Sequence, residues 1–334
     1  MPPKEISWCF TDMKITLLRH IPKPVLLLCV LAFVVSCGEF TTKDDKVDTG
    51  KIKKIEVFLS DENLRCFYST MTLDTQVSCS VIFDEWHGDG TIKVRGDTSR
   101  MYPKKSFTLK IDGKKYMLER GEENGGLYNR IAMRAYQLAG VTACDTESVG
   151  LFLNDEYLGC YNLITYYDED EMGGELYKCY FVEYDHMENN HPIYSLSEKK
   201  FPDDDNFMNM SNLLAALTTF SDEKWRQFVL ENVDLEKMAS YLVVHDFLTV
   251  KDTSCSNYYL YYNGKYKLVP WDHEQCLLKD RSKYHLCDDN QLIRRLVAVP
   301  ELKAAYNNKM QKLFKGGGDR MYSESASDRG RCHV

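Results

Sequence analysis

The densest run of chemistry-bearing side chains lies between Asp252 and Glu274, DTSCSNYYLYYNGKYKLVPWDHE. Two aromatic and aliphatic stretches flank Asn263-Gly264, a dipeptide that favours a two-residue hairpin turn because both residues tolerate positive φ. With that turn Tyr262 pairs with Lys265, and Asp272 falls opposite position 255, one diagonal step from Asn257 on the same face. Diagonal neighbours lie roughly 7–8 Å apart at the backbone, within joint reach of one ion. Glu274 follows two residues on, nominally on the same side, and Asp252 sits where the preceding helix delivers the chain to the hairpin. One small site is therefore expected to collect Asp252, Asn257, Asp272 and Glu274. Their hard oxygen donors suit Mg²⁺ or Mn²⁺ bound to phosphates.

Phosphates also need cations. The segment TIKVRGDTSRMYPKKSFTLKI, residues 91–111, places Arg95, Arg100, Lys104 and Lys105 around one turn. By strand parity Lys105 shares a face with Phe107, Leu109 and Ile111, so an inward-facing lysine is expected there, with Lys104 pointing the other way. Asp252 and Asn257 are spaced D-x4-N, as in the protein-kinase catalytic loop, where the Asp positions the acceptor hydroxyl and the Asn holds metal. That spacing alone occurs by chance in most proteins; the hairpin is what ties the pair to Asp272. No G-x4-G-K-[ST] loop and no G-x-G-x-x-G loop occurs.

These residues must be positioned by a β-rich first part and a helix-rich second part. Residues 51–181 read mainly as strands, with Gln76 to Phe83 alternating and Thr91 to Arg95 ending at Gly96. Lys105 to Ile111, Asp112-Gly113 and Lys114 to Leu118 spell a hairpin, and Val149 to Leu153 with Tyr157 to Tyr166 spell another around Asn154-Asp155-Glu156. Tyr128 to Leu138 has helical spacing, Cys179 to Tyr184 reads as a strand, and 186–206 reads as a polar loop. Phe207 to Phe220, Ser221 to Glu231 and Leu235 to Val250 follow as helices, with Ser221 and Asp234 as N-caps. Asn290 to Leu296 and Glu301 to Phe314 are amphipathic helices beyond the hairpin.

The 334 residues carry a net charge of −8 and 44% apolar residues, a globular composition that argues against a nucleic-acid partner. Val25 to Val35 is eleven apolar residues, too short for a membrane span of roughly 20. Lys14, Arg19 and Lys23 precede it and Ser36-Cys37-Gly38 follow, the order of a signal peptide. Val34-Val35-Ser36-Cys37 resembles a bacterial lipobox, so Cys37 is the expected lipidation site, with Met1 or Met13 as the start. The expected plan is a leader over 1–36, a tether over 37–54, one domain over 55–315 and a disordered or aberrant tail over 316–334. The expected location is the bacterial cell envelope, on a membrane through the lipid and facing outside the cytoplasm. The 12 cysteines form no C-x-x-C or Cys/His zinc spacing and no regular disulfide framework.

At the residues above, the chain resembles the CotH kinase family, the spore-coat protein H type of atypical protein kinase. RGDTSRMYPKKSFTLKI, LFLNDEYLGCYNL, KDTSCSNYYLYYNGKYKLVPWDHE and NQLIRRLVAVPELKAAY carry the likeness, in that order, over most of residues 90–314. The resemblance implies an α+β, kinase-like fold and ATP-dependent transfer to Ser or Thr of a protein substrate. It implies Asp252 as the catalytic residue, Asp272 and Asn257 as metal ligands, and Lys104 or Lys105, Arg95 and Arg100 as phosphate contacts. Two departures stand out: the family's W-D-x-D ends in Glu274, and its Y-x-L-x-E becomes Tyr161-x-Leu163-x-Thr165. Asp168 or Glu183 could supply the missing carboxylate. The alternatives are a degenerate kinase-like surface binding or adhesion module and another phosphoryl- or nucleotidyl-transferase using the same site on a different acceptor.

Overall fold

The computed structural model describes residues 52–70, 73–96, 98–121, 126–179, 197–250, 257–277 and 290–313. The leader with Cys37, most of the tether, Asp252, Glu183, the continuation of the expected strand to Tyr184 and the tail lie outside them. Seven strands form the first lobe: β1 (Lys53–Phe58), β2 (Val77–Phe83), β3 (Trp86–Arg95), β4 (Ser106–Ile111), β5 (Lys114–Glu119), β6 (Thr146–Leu153) and β7 (Glu156–Thr165). They close into a barrel in the order β1-β2-β3-β4-β5-β7-β6. Neighbours run antiparallel except β1 and β6, whose parallel pairing closes the ring.

The barrel follows from alternation. Val77, Cys79 and Val81 are buried between exposed Ser78 and Ser80, and the interior collects Val57, Leu109, Leu118, Leu151 and Tyr161. Two tight turns fix the registers. Asp112-Gly113 and Asn154-Asp155 carry positive φ at both central residues, the geometry that matches strand twist. Helix α1 (Asp61–Ser69) covers the barrel through Phe67, whose ring lies 5.8 Å from that of Phe107. It was not expected from the sequence, because Phe67 alone of its residues is fully buried and no apolar stripe announces it.

Helix α2 (Leu127–Leu138) leaves the barrel between β5 and β6 and joins the second lobe. That lobe contains α3 (Glu169–Met172), α4 (Met208–Thr219), α5 (Asp222–Asn232), α6 (Leu235–Leu248), α7 (Gln291–Val297) and helical residues 300–313. Its sheet runs β11-β10-β8-β9, from β8 (Glu175–Cys179), β9 (Ser197–Phe201), β10 (Tyr258–Tyr262) and β11 (Tyr266–Pro270). Ser221 Oγ and Asp234 Oδ1 cap α5 and α6 as expected, accepting from Lys224 and Lys237 N–H. Helix α6 is buried on nearly every side, from Met238 to Leu248, and forms the axis of this lobe. Tyr136 of α2 stacks on Tyr241 of α6 at 5.1 Å.

Two expectations are corrected. Ser197–Phe201 is an edge strand within the stretch read as a loop; its Glu198, Lys199 and Lys200 hide the strand signal because edges favour charge. The β10–β11 turn has three residues rather than two: Tyr262 pairs with Tyr266, leaving Asn263, Gly264 and Lys265 as the loop. This one-residue slip moves every expected partner on β11.

Candidate active site

Both strands of the β10–β11 hairpin give way to left-handed backbone at its open end. Asn257 has φ +62° and Asp272 has φ +57°, a region where Asn and Asp are the residues most tolerated after glycine. With Tyr262 opposite Tyr266, Asn257 falls opposite Trp271 and not on the face of Asp272 as expected. The open end joins them another way: the Asn257 carbonyl accepts from Trp271 N–H at 3.2 Å and lies 3.1 Å from His273 Nε2. His273 therefore carries its proton on Nε2, and burial, with His245 beside it, pushes its pKa down to about 3. The ring is a neutral strut between Tyr136 and Tyr241.

Across the lobe junction the barrel supplies Glu119, the last residue of β5. One ligand oxygen from each of Glu119, Asp272 and Glu274 lies within 4.8 Å of the others. Asn129 Nδ2 donates to Glu119 Oε1 and Asn162 Nδ2 to Oε2, both at 2.9 Å. Asn129 Oδ1 also accepts from His273 N–H at 3.2 Å, so one buried amide links the barrel carboxyl to the loop that carries Asp272. Burial first, then Asp272 and Glu274, push the Glu119 carboxyl up to about 8 against the two amide bonds.

The sequence reading missed Glu119, Asn129 and Asn162. A usable signal was present: Met117 and Glu119 share the strand face opposite Leu118, which fills the barrel, so Glu119 had to emerge toward a second layer. Pairing of Glu119 with Asn162, and of Arg95 with Ser106 on the neighbouring strand, then puts all four side chains on the outer face of the barrel.

Arg95 reaches the junction, its guanidinium 5.9 Å from the centre of the Trp271 ring. Lys178 on β8 joins it: burial, Lys200 and Arg95 lower its pKa while Asp272 opposes them. Lys115 on β5 is lowered likewise, by desolvation over the Tyr166 ring at 4.4 Å and then by Lys200, Lys93, Lys110 and Arg95. The remaining expected cations are engaged elsewhere. Strand β4 starts at Ser106, so Lys105 precedes it and parity does not send it inward; its ammonium donates to the carbonyls of Arg100 and Tyr102 at 2.6 Å each. Lys104 instead reaches the barrel side, donating to the Cys160 carbonyl at 2.5 Å with its Nζ 4.3 Å from the Tyr161 ring centre. Arg100 donates to Gly96 O and to Asp74 Oδ1, the latter at 2.9 Å.

A cavity of about 190 Å³ opens beside the linker that leaves β7, lined by Lys115, Thr165, Tyr166, Tyr167, Lys200 and Tyr259 among others. Thr165, where the resemblance led one to expect a carboxylate, is part of its wall. Asp168 does not replace that carboxylate at the cluster; its Oδ1 accepts from Asp170 N–H and caps α3.

The family model described as CotH kinase protein matches residues 92–317. A search of curated proteins finds no match. Among solved structures, the crystal structure of a Helicobacter pylori proinflammatory kinase, CtkA, aligns with 64% of this chain and 89% of that chain, at 12% identity and a TM-score of 0.30. The family model spans well over half of the chain, from the end of β3 through the acidic cluster to the helices that follow: the chain belongs to the CotH kinase protein family and is a kinase-like protein.

Proposed function

We propose that this protein is an exported, lipid-anchored kinase that transfers the γ-phosphate of ATP to a Ser or Thr hydroxyl of a surface or envelope protein. The observation that carries this reading is the acidic cluster of Glu119, Asp272 and Glu274 at the lobe junction, within 4.8 Å of one another. Their carboxylates fit Mg²⁺ or Mn²⁺, with Asp272, Glu274 and Asn257 as the holding residues of the hairpin. Bound there, the ion supplies charge neutralisation for the phosphates. Arg95 and Lys178 screen the triphosphate beside the cluster. Lys105 and Arg100 brace the turn that follows Arg95, and Lys104 ties that turn to β7.

The nucleoside end fits the cavity at the linker. Lys115, on its wall, and Glu119 are four residues apart on β5, about 13 Å at the ordinary strand rise, a span that an extended nucleoside triphosphate bridges. Asp252 orients the acceptor hydroxyl and takes its proton as the new O–P bond forms and the bond to the ADP leaving group breaks. Residues 1–36 act as the leader, Cys37 carries the lipid, and residues 37–54 tether the domain at 55–315.

The second reading, a degenerate binding module, draws on Thr165 in place of the family's Glu. Purified protein given Mn²⁺, γ-labelled ATP and a Ser/Thr-containing acceptor distinguishes them. Label transfer that falls at least 100-fold in Asp272→Ala is the expected result; failure to bind ATP at all would sink the kinase and leave the binding module. Transfer of α-label instead would assign nucleotidyl transfer. Cys37→Ala is expected to move the protein from the membrane fraction to the soluble one.

A further inference from the structure

We propose that Glu119 completes a divalent-cation site with Asp272 and Glu274, so that the cation is held from both lobes and clamps them together before nucleotide binds. This deepens the metal part of the function proposed above and does not depend on phosphoryl transfer. Glu119 ends a barrel strand, whereas Asp272 and Glu274 follow the last strand of the other sheet. An ion bound by the hairpin alone would add no link between the lobes; one bound by Glu119 as well adds a second tie beside the Asn129 amide.

Three observations converge. Each Glu119 oxygen takes one amide N–H, from Asn129 and Asn162, which fixes the carboxyl and leaves a lone pair on each oxygen for the cluster. Asn162 is 1% exposed, and its Oδ1 has no hydrogen-bond partner although its own Nδ2 rests on Glu119. A stranded buried oxygen on the amide that holds Glu119 is an acceptor with nothing to accept from, and a hydrated cation at the cluster satisfies it directly or through its water. The spacing also suits an ion: ligands at about 2.1 Å stand about 3 Å apart when adjacent and about 4.2 Å when opposite. The 4.8 Å spread of the cluster is close to the wider of these spacings.

The test uses the full chain without nucleotide. Wild type is expected to bind Mn²⁺, read by calorimetry and by the electron paramagnetic resonance of bound ion, and to gain thermal stability from it. Glu119→Gln is expected to bind Mn²⁺ at least 10-fold more weakly and to lose that gain, while its metal-free midpoint stays at or above wild type. Asn162 can turn its amide to offer Oδ1 to the new Gln, which keeps the variant folded. Glu119→Asp, which keeps the charge but shortens its reach, serves as the second variant and is expected to fall between. Mn²⁺ binding that Glu119→Gln leaves unchanged, or wild-type binding that appears only with ATP, overturns the proposal. Loss of Mn²⁺ binding in Glu119→Gln supports it whether or not the protein transfers phosphate, so the two readings fail separately.

Discussion

The buried amide of Asn129 sits between two lobes and satisfies a group in each, the Glu119 carboxyl and the His273 N–H. Asn129→Ala removes both bonds and leaves His273 N–H without an acceptor in a fully buried setting. An orphaned buried donor costs about 1–3 kcal/mol, so a loss of about 2–4 kcal/mol in urea unfolding is expected for the two bonds. Lys178→Met tests a cation that the proposed function sets beside the triphosphate. It removes charge beside Asp272 while keeping the stem, and is expected to raise the KM for ATP at least 10-fold. Asp272 and Glu274 were legible as neighbours in the sequence because they follow one another at the end of one short hairpin. Strand parity shows Glu119 only as a carboxyl facing out of the barrel; its meeting with Asn129 and Asn162 depends on three separate elements whose packing no local spacing encodes.

At the scale of elements, turn chemistry was readable where two residues with positive φ join alternating strands, as at Asp112-Gly113. It failed at Asn263-Gly264, where Lys265 enters the loop and the strands pair one residue further on. The aromatic run YYLYY is apolar at every position, so alternation could not choose between the two registers. The start of α2 offers a sharper test of how elements meet. Gly126 has φ +76°, and a Cβ there would lie 2.5 Å from Asn162 Cβ and 3.2 Å from Glu119 Oε2. Gly113 has a similar φ of +75° but open space around it. Gly113→Ala should cost only the left-handed strain, about 1–2 kcal/mol. Gly126→Ala carries the same strain plus a clash worth about 1–3 kcal/mol, and should displace α2 from Glu119. Equal losses in the two variants, measured by urea unfolding, would show that α2 does not press on the site.

At the scale of the molecule, one buried network joins two groups whose titrations act in opposite directions. His273 is held neutral, with its pKa lowered to about 3 from 6.5, so its contribution is complete above pH 6.5 and is lost as pH falls toward 3. Glu119 is held protonated, raised to about 8 from 4.5, so its contribution is complete below pH 4.5 and is lost as pH rises through 8. Between 4.5 and 6.5 the two slopes oppose and cancel, while outside that window one acts alone. The exposed Asp74 and Asp204 carboxylates, lowered by ion pairing, add little to the acid side because solvent screens them. Chelated, metal-free protein should therefore show a stability plateau near pH 5–6, with flanks no steeper than about 1.4 kcal/mol per pH unit for each group. Glu119→Gln should flatten the fall between pH 6.5 and 8 and leave the acid flank intact; His273→Asn should do the reverse. Chemical unfolding at half-unit steps from pH 4 to 8 reads both flanks. An alkaline flank that survives in Glu119→Gln would place the titrating group elsewhere than the barrel carboxyl.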